Sequence, residues 1–230
     1  MNTATAIIFG VLLIVWIFAV TKVYFSSKEK KHYHNTTKFI THIAIFGSIS
    51  ALLYIFIKFP LPFLPSFLEF HFDEVPIFIA GFAYGPLSAF CIILLKTIIK
   101  LPFTSTLGVG ELSDLIYSCA FVLPAAFIYK RRRTFKAAMV GLAIGTFCQL
   151  IFALLGNIYV MIPFYMEVMQ LPKEVILGMM QKANANITDI GWAYALFAVL
   201  PFNALKNAMV LVITIFTYKS MHRFIDKMQN

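Results

Sequence analysis

Two polar side chains lie deep inside an apolar stretch near the C-terminal end of the sequence. Asn203 and Lys206 fall within residues 190–218 and are three positions apart, so a helix places them on one face. A lysine in apolar surroundings is costly and usually faces a partner or a ligand. Because Lys206 is far from both ends of the stretch, we predict that it contacts a ligand together with Asn203. The alternative is that its long side chain reaches a polar boundary.

Asn157 is the next candidate, close to the end of the apolar stretch 137–162. Its amide both donates and accepts hydrogen bonds, which suits a ligand with both kinds of polar atom. A hydrogen bond between two helices is the alternative. Gln149 lies on a nearby face of the same stretch, and for this residue we favour structural hydrogen bonding.

Charged side chains form a second set of candidates. Glu111 and Asp114 open an apolar stretch on one helix face, a pairing that suits acid–base chemistry but also a favourable contact with the helix dipole. Lys96 lies near a predicted helix end, from which its ammonium can extend outward. We assign these three residues, with Leu68 and Phe70 of the apolar segment 58–72, to the wall or gate of a pocket.

Motifs for nucleotide binding, hydrolysis and zinc proteolysis are missing from the sequence, which lacks G-x-x-x-x-G-K-[ST], G-x-S-x-G and H-E-x-x-H. The three cysteines form no C-x-x-C pair, and His32 and His34 form only a weak pair in a lysine-rich segment. We therefore predict no catalytic residue, no metal site and no cofactor.

Composition places these residues in a membrane protein. Of the 230 residues, 60% are hydrophobic and 13% are charged, whereas soluble domains are about 45–50% apolar and about 25% charged. These values exclude a soluble enzyme, a disordered chain and a DNA-binding protein. The net charge of +9 is therefore interpreted as cytoplasmic basic anchors beside membrane helices.

The apolar runs predict an all-α polytopic membrane protein with one extra N-terminal helix and a six-helix core. A break is expected at Gly85-Pro86, and three prolines make the segment 58–72 irregular. That segment either caps a ligand site or forms an interfacial aromatic belt. We divide the chain into residues 1–36, with the extra helix and a basic linker, and a membrane domain at 37–230. The predicted helices cover residues 5–25, 39–57, 73–84, 86–101, 111–129, 137–162 and 190–218.

The basic segments set the predicted orientation in the cell membrane. Residues 26–38, 130–136 and the C-terminal tail carry the lysine and arginine clusters and are placed in the cytoplasm. The segments 58–72, 102–110 and 163–189 then lie outside, and so does the N-terminus.

Small residues mark two predicted packing surfaces. Gly141 and Gly145 predict close packing between helices. In the first core helix, small side chains either seat a partner helix or pack within the chain; these are Ala44, Gly47, Ser48 and Ala51.

Several of these stretches together resemble the riboflavin-binding S component of energy-coupling-factor (ECF) vitamin transporters. The resemblance covers about residues 39–225 and keeps its order along the chain. It is carried by FPLPFLPSFLEFHFDEVP at 59–76, YGPL at 84–87, GVG at 108–110, FVLP at 121–124, Asn157 with Ile162-Pro163, and PFNALK at 201–206.

The resemblance implies capture of riboflavin, as a transported substrate, in a pocket beneath the segment 58–72. It implies that Asn157, Asn203 and Lys206 bind the vitamin. It also implies a transmembrane coupling protein and two cytoplasmic ATPases as partners, with the small residues around Gly47 and Ala51 contacting the coupling protein.

The chain also departs from the family pattern. Asp73-Glu74 stands where the family often has Ser-Asp, and Glu111 and Asp114 stand where amides are expected. These acids leave open a different vitamin, such as pantothenate or a pyridoxine-type compound, or a particular flavin preference. An intramembrane enzyme using Glu111, Asp114 or Lys206, and an autonomous channel or carrier, are the remaining alternatives.

Overall fold

The helices follow the apolar runs closely. The computed structural model describes residues 36–60 and 68–229, so the predicted helix 5–25 and nearly all of the basic linker lie outside the described residues. The elements, in chain order, are α1 (Thr36–Phe56), β1 (Lys58–Pro60), β2 (Glu69–His71), α2 (Glu74–Tyr84), α3 (Pro86–Lys100), α4 (Val109–Arg132), α5 (Phe135–Gly156), α6 (Lys173–Ala183), α7 (Trp192–Tyr194) and α8 (Leu200–Gln229).

Five helices of the described chain are long and apolar enough to cross a membrane, and α2 is a shorter apolar helix beside them. The five are α1, α3 with the turn that follows it, α4, α5 with its extension, and α7 continued into α8. Together with α2 they form the predicted six-helix core.

The break between α2 and α3 lies where it was predicted. Gly85 has a φ of 96°, a left-handed value that a residue with a Cβ adopts only under strain. Pro86 follows at the start of α3, where its missing N–H has no helical partner to lose. The chain therefore turns from one short helix directly into the next.

Two helix ends were predicted wrongly. We expected α5 to stop before Pro163, but it continues through π-helical turns at Asn157–Met161 and Phe164–Val168. Wider helical turns re-satisfy backbone groups around a proline, which explains the continuation. The segment 163–189, expected to be a simple connection, also contains α6, and α8 extends past residue 218 to Gln229.

Helices α4 and α5 pack closely through the two glycines identified in the sequence. A Cβ added at Gly145 would lie 2.0 Å from the carbonyl oxygen of Phe121, and one at Gly141 would lie 2.8 Å from the Cα of Ala125. Backbone atoms occupy this space and cannot move aside as side chains do. The predicted small-residue contact is therefore confirmed.

Gly145→Ala is expected to lower the melting temperature of the purified protein, because α4 and α5 must separate to admit the methyl group. Overpacking of this kind costs about 1–3 kcal/mol. The matched control is Gly178→Ala, since a Cβ at Gly178 meets no atom within 4 Å and removes the flexibility of a helical glycine. Equal melting temperatures for the two variants in detergent would contradict the packing argument.

The prolines of the segment 58–72 do not prevent all regular structure. Strands β1 and β2 pair antiparallel, with Phe59 opposite Phe70 and Pro60 opposite Glu69. A proline is tolerated at the margin of a two-stranded ribbon because its missing N–H need not face a second strand. This short hairpin covers one end of the bundle and packs on a hydrophobic cluster formed with α6 and the start of α8.

Candidate functional site

A cavity of about 330 Å³ lies beneath the hairpin, within the size range of small-molecule pockets. Its wall includes the ends of α1, α3 and the π-helical extension of α5, together with the starts of α4 and α8. Most predicted site residues line it: Leu68, Glu111, Asp114, Asn157, Asn203 and Lys206. Phe70 and Lys96 do not line it but are buried close behind its wall.

Asn157 is held in place by two hydrogen bonds. Its Nδ2 donates to the carbonyl of Ala153 at 2.9 Å, and its Oδ1 accepts from the Tyr194 hydroxyl at 3.1 Å. An asparagine amide has two N–H groups and an oxygen with two acceptor positions. One donor and one acceptor position of Asn157 therefore stay available at the cavity.

Asn203 belongs to a buried amide network. Its Oδ1 accepts from Gln149 Nε2 at 2.7 Å, and its Nδ2 donates to the carbonyl of Val199 at 2.8 Å. Gln149 also accepts from Asn207 Nδ2 at 2.8 Å, so it bridges two amides of α8. This geometry agrees with the structural role favoured for Gln149, although its side chain also lines the cavity.

Lys206 is buried and ion-paired at the cavity wall. Its Nζ lies 2.7 Å from Glu74 Oε1 and 3.2 Å from His71 Nε2, and the residue is 4% exposed. The alternative in which Lys206 reaches a polar boundary is therefore wrong. An ammonium has three N–H donors, so one stays available for a ligand.

A second buried lysine organises the wall behind the cavity. Lys96 is fully buried, and its Nζ contacts Asp73 Oδ2, Asp114 Oδ2 at 2.9 Å and Ser118 Oγ at 2.9 Å. The expectation that Lys96 extends outward is wrong, because two carboxylates hold its ammonium inside the protein. Asp73 also contacts the His71 ring, so these residues join the lysine to the base of the hairpin.

Electrostatics favour the charged form of Asp73. Burial alone would raise the pKa of its carboxyl, but the Lys96 ammonium and the His71 ring hold that pKa well below its usual range. The carboxylate is therefore a fixed negative charge that anchors Lys96.

The two acids predicted at the start of α4 have separate partners. Glu111 Oε2 accepts from the hydroxyls of Thr104 at 2.6 Å and Thr106 at 3.2 Å, whereas Asp114 pairs with Lys96. Each carboxylate is thus engaged in structural contacts. This arrangement favours the structural interpretation of both residues over acid–base chemistry.

Metal binding is disfavoured at the acidic cluster. Among residues 36–60 and 68–229, His71, Asp73 and Glu74 place ligand atoms within 4.8 Å of one another. However, the ammonium groups of Lys96 and Lys206 already lie against the two carboxylates. A cation would have to displace them against electrostatic repulsion.

The hairpin supplies an aromatic cover. The Phe70 ring packs edge-on against Phe202 with centroids 5.6 Å apart, and stacks on Phe59 at 5.7 Å. Leu68 is buried and lines the cavity directly. Phe70 therefore supports the cover rather than forming the inner surface.

Sequence reasoning did not select Tyr54, His71, Glu74 or Lys100 as site residues. The Tyr54 ring lies 4.7 Å from the His71 ring, and the ammoniums of Lys96 and Lys100 lie 5.0 and 5.3 Å from its centroid. One signal was present in the sequence, because Lys96 and Lys100 are four residues apart and share a helix face.

Comparison with known proteins decides the family. The family model for the substrate-specific component of ECF transporters matches residues 38–218. The chain belongs to this family. It is therefore an S component, a membrane transport subunit rather than an enzyme, as the resemblance implied.

Similar proteins agree with this assignment. The S component is 28% identical to "Riboflavin transporter RibU" of Staphylococcus aureus (strain TCH60), over 88% of this chain and 99% of the relative. It is 25% identical to "Riboflavin transporter FmnP" of Bacillus subtilis (strain 168), over 82% and 94%. A solved structure of the S component of a bacterial ECF transporter matches with a TM-score of 0.65 and 27% identity, over 83% of this chain and 99% of that one.

The small residues of α1 divide between two environments in this S component. Gly47 and Ala51 are buried, and a Cβ at Gly47 would lie 2.6 Å from Leu95 Cδ2 of α3. Ala44 and Ser48 are exposed on the other side of the helix. The buried pair therefore lets α1 approach α3, and the exposed pair leaves a shallow outer surface.

Proposed function

We propose that this S component captures riboflavin in the cavity beneath the hairpin and delivers it with the partner subunits of an ECF importer. The observation that carries the proposal is the convergence of Asn157, Asn203 and Lys206 on one cavity. The relatives named as riboflavin transporters support it.

The polar groups of the cavity suit the flavin ring. Asn157 and Asn203 each keep one donor and one acceptor position, and Lys206 keeps one donor. Riboflavin has a planar ring with amide-like edges that match such groups. A buried donor or acceptor left without a hydrogen bond costs about 1–3 kcal/mol. These side chains would therefore discriminate against ligands whose ring edges lack matching donors and acceptors.

Apolar and aromatic groups supply the remaining wall. The cavity is lined by Tyr54, Tyr117, Tyr165 and Phe202 as well as Leu68. Large rings bury much apolar area and tolerate stacked or edge-on contact with another ring. The polyhydroxyl tail of riboflavin would then meet the hydroxyl-rich turn that includes Ser105 and Thr106.

The experiment is an absorbance spectrum of the detergent-purified chain, followed by titration with riboflavin. We expect a yellow flavin to co-purify or riboflavin to bind saturably. A well-folded sample that binds no riboflavin would overturn the proposal, and other vitamins, including pantothenate and pyridoxine-type compounds, would then be screened by competition.

We further propose the orientation and the partners. The basic clusters at 26–38 and 130–136 favour a cytoplasmic C-terminus, an outer N-terminus and capture from outside the cell membrane. As an ECF S component the chain acts with an ECF module. We propose that this module consists of a transmembrane coupling protein and two cytoplasmic ATPases.

The α1 helix is the proposed contact for the coupling protein. Only 22% of the apolar 18-residue stretch of α1 is buried within the protein, compared with 33–56% of the corresponding stretches of the other four spanning helices. Exposed Ala44 and Ser48 allow a partner helix to approach closely. Buried Gly47 and Ala51 support the same surface by seating α1 on its neighbours.

The double variant Ala44→Leu/Ser48→Leu is expected to reduce co-purification of the coupling protein by more than about tenfold, or about 1.4 kcal/mol. Added bulk on the exposed side keeps the helices apart while leaving the cavity intact, so riboflavin titration should be unchanged. Gly47→Leu is unsuitable because it would collide with Leu95. Normal capture of the coupling protein by the double variant would refute this contact.

A further inference from the structure

A shallow apolar groove lies between α5 and α8, at the end of the bundle opposite the hairpin. Its wall includes Phe135, Met139 and Leu142 of α5 and Thr214, Ile215 and Tyr218 of α8. From Phe135 to Leu142 the helix rises about 10 Å, which is less than half of a hydrocarbon core of about 30 Å. The groove therefore lies within one leaflet, along a length that a lipid acyl chain can follow.

Thr214 places an unpartnered hydroxyl in this apolar groove. The residue is 1% exposed, and among the described residues its hydroxyl oxygen has no hydrogen-bond partner. The hydroxyls of Thr97, Thr146 and Thr217 instead donate to the carbonyl four residues earlier in their helices. A buried hydroxyl without a partner is unfavourable, so the groove favours a ligand that brings an acceptor oxygen.

Positive charge lies at the same end of the groove. Arg132 at the end of α4 and Lys136 in the first turn of α5 are exposed, and Lys136 lies one turn before Met139. Among the side chains that the structure describes, no carboxylate lies within 4.0 Å of the Arg132 guanidinium or the Lys136 ammonium. Because α5 begins at Phe135, its first N–H groups add partial positive charge. An anionic group is therefore favoured beside the groove.

We propose that this groove binds an anionic phospholipid, with its phosphate beside Arg132 and Lys136 and one acyl chain between α5 and α8. Basic residues next to membrane helices attract anionic headgroups, and an ester oxygen of the lipid accepts from the Thr214 hydroxyl. Helix α8 also carries Lys206 at its other end, and α5 continues to Asn157. A lipid that joins the two helices here stabilises the pair on which the cavity is built.

The test is a titration of the full purified chain in neutral detergent, with binding followed by native mass spectrometry. The ligands are phosphatidylglycerol and phosphatidylcholine with identical acyl chains, of which only the first carries a net negative charge. We expect the native chain to bind phosphatidylglycerol about tenfold more tightly or better, equivalent to about 1.4 kcal/mol. Inorganic phosphate at the same concentration should displace neither lipid.

The double variant Arg132→Gln/Lys136→Gln should remove most of this preference. It leaves Lys130, Arg131 and Arg133 in place, so the basic segment that orients the chain is retained. The matched control is Lys173→Gln/Lys182→Gln, which removes two exposed lysines of α6 at the hairpin end of the bundle and should keep the preference.

Thr214→Val tests the groove separately from the charges. Both phospholipids carry the ester, so this variant should weaken the two equally, by about threefold to tenfold. The matched control is Thr217→Val, because the Thr217 hydroxyl already donates to the Ile213 carbonyl at 2.6 Å, and it should change neither affinity.

Four results would overturn the lipid site. They are equal affinity of the native chain for the two phospholipids, displacement of the lipid by inorganic phosphate, a preference that survives Arg132→Gln/Lys136→Gln, and no loss for either lipid with Thr214→Val. If neither lipid binds and Arg132→Gln/Lys136→Gln instead abolishes co-purification of the coupling protein, the groove seats that partner. None of these results affects the riboflavin titration, which reports on the opposite end of the bundle.

Discussion

Lys206→Ala is expected to reduce riboflavin affinity by between about tenfold and about a hundredfold. The variant removes a buried charged donor, and hydrogen bonds to charged groups contribute about 1.5–3 kcal/mol. It also leaves Glu74 without its ion-pair partner at 2.7 Å. Calorimetric titration of the purified chain measures the change directly.

Two further variants separate binding from folding. Gln149→Ala removes an amide that bridges Asn203 and Asn207, so we expect a smaller loss of affinity than for Lys206→Ala. The double variant Lys206→Ala/Glu74→Gln removes the orphaned charge and should restore thermal stability without restoring binding. Small, equal effects of Lys206→Ala and Gln149→Ala would show that Lys206 does not face the ligand.

Lys96→Met is expected to cause the largest loss of stability of any substitution considered. Its ammonium is fully buried and contacts both Asp73 and Asp114. Breaking a buried ion pair costs about 3–5 kcal/mol because the remaining charge has no compensation, and here two carboxylates would be left. We expect a strongly lowered melting temperature and poor recovery from detergent.

The control for Lys96→Met is Lys58→Met. Lys58 pairs with Glu69, but these side chains are 33% and 42% exposed, and such pairs contribute about 0–1 kcal/mol. Melting temperatures for the two variants that differ by only a degree or two would contradict the structural role assigned to Lys96.

Local sequence patterns were sufficient to predict much of the bundle. Long apolar runs predicted the spanning helices, and Gly85-Pro86 predicted the break between α2 and α3. Gly145 predicted the close contact between α4 and α5. Each of these features depends on the properties of neighbouring residues, which is why no structure was needed to find them.

The charge partners within the site could not be predicted in the same way. Lys206 and Glu74 are 132 residues apart, and Lys96 of α3 is 23 residues from Asp73, which lies just before α2. Sequence spacing indicates that a buried lysine needs a partner, but only the folding of the bundle determines which carboxylate approaches it. Lys100 shares a helix face with Lys96 in the sequence, but only the folded bundle shows that it is buried at the cavity.

The π-helical turns have a consequence for how this cavity can change its selectivity. A π-helical turn corresponds to one residue inserted into an α-helix, and each residue rotates the following side chains by about 100° about the axis. The turn Ala195–Val199 directly precedes Asn203 and Lys206. Deleting a single residue there would rotate both side chains away from Tyr194 and Asn157. Loss or gain of one residue is thus a route to a new ligand that requires no substitution within the cavity.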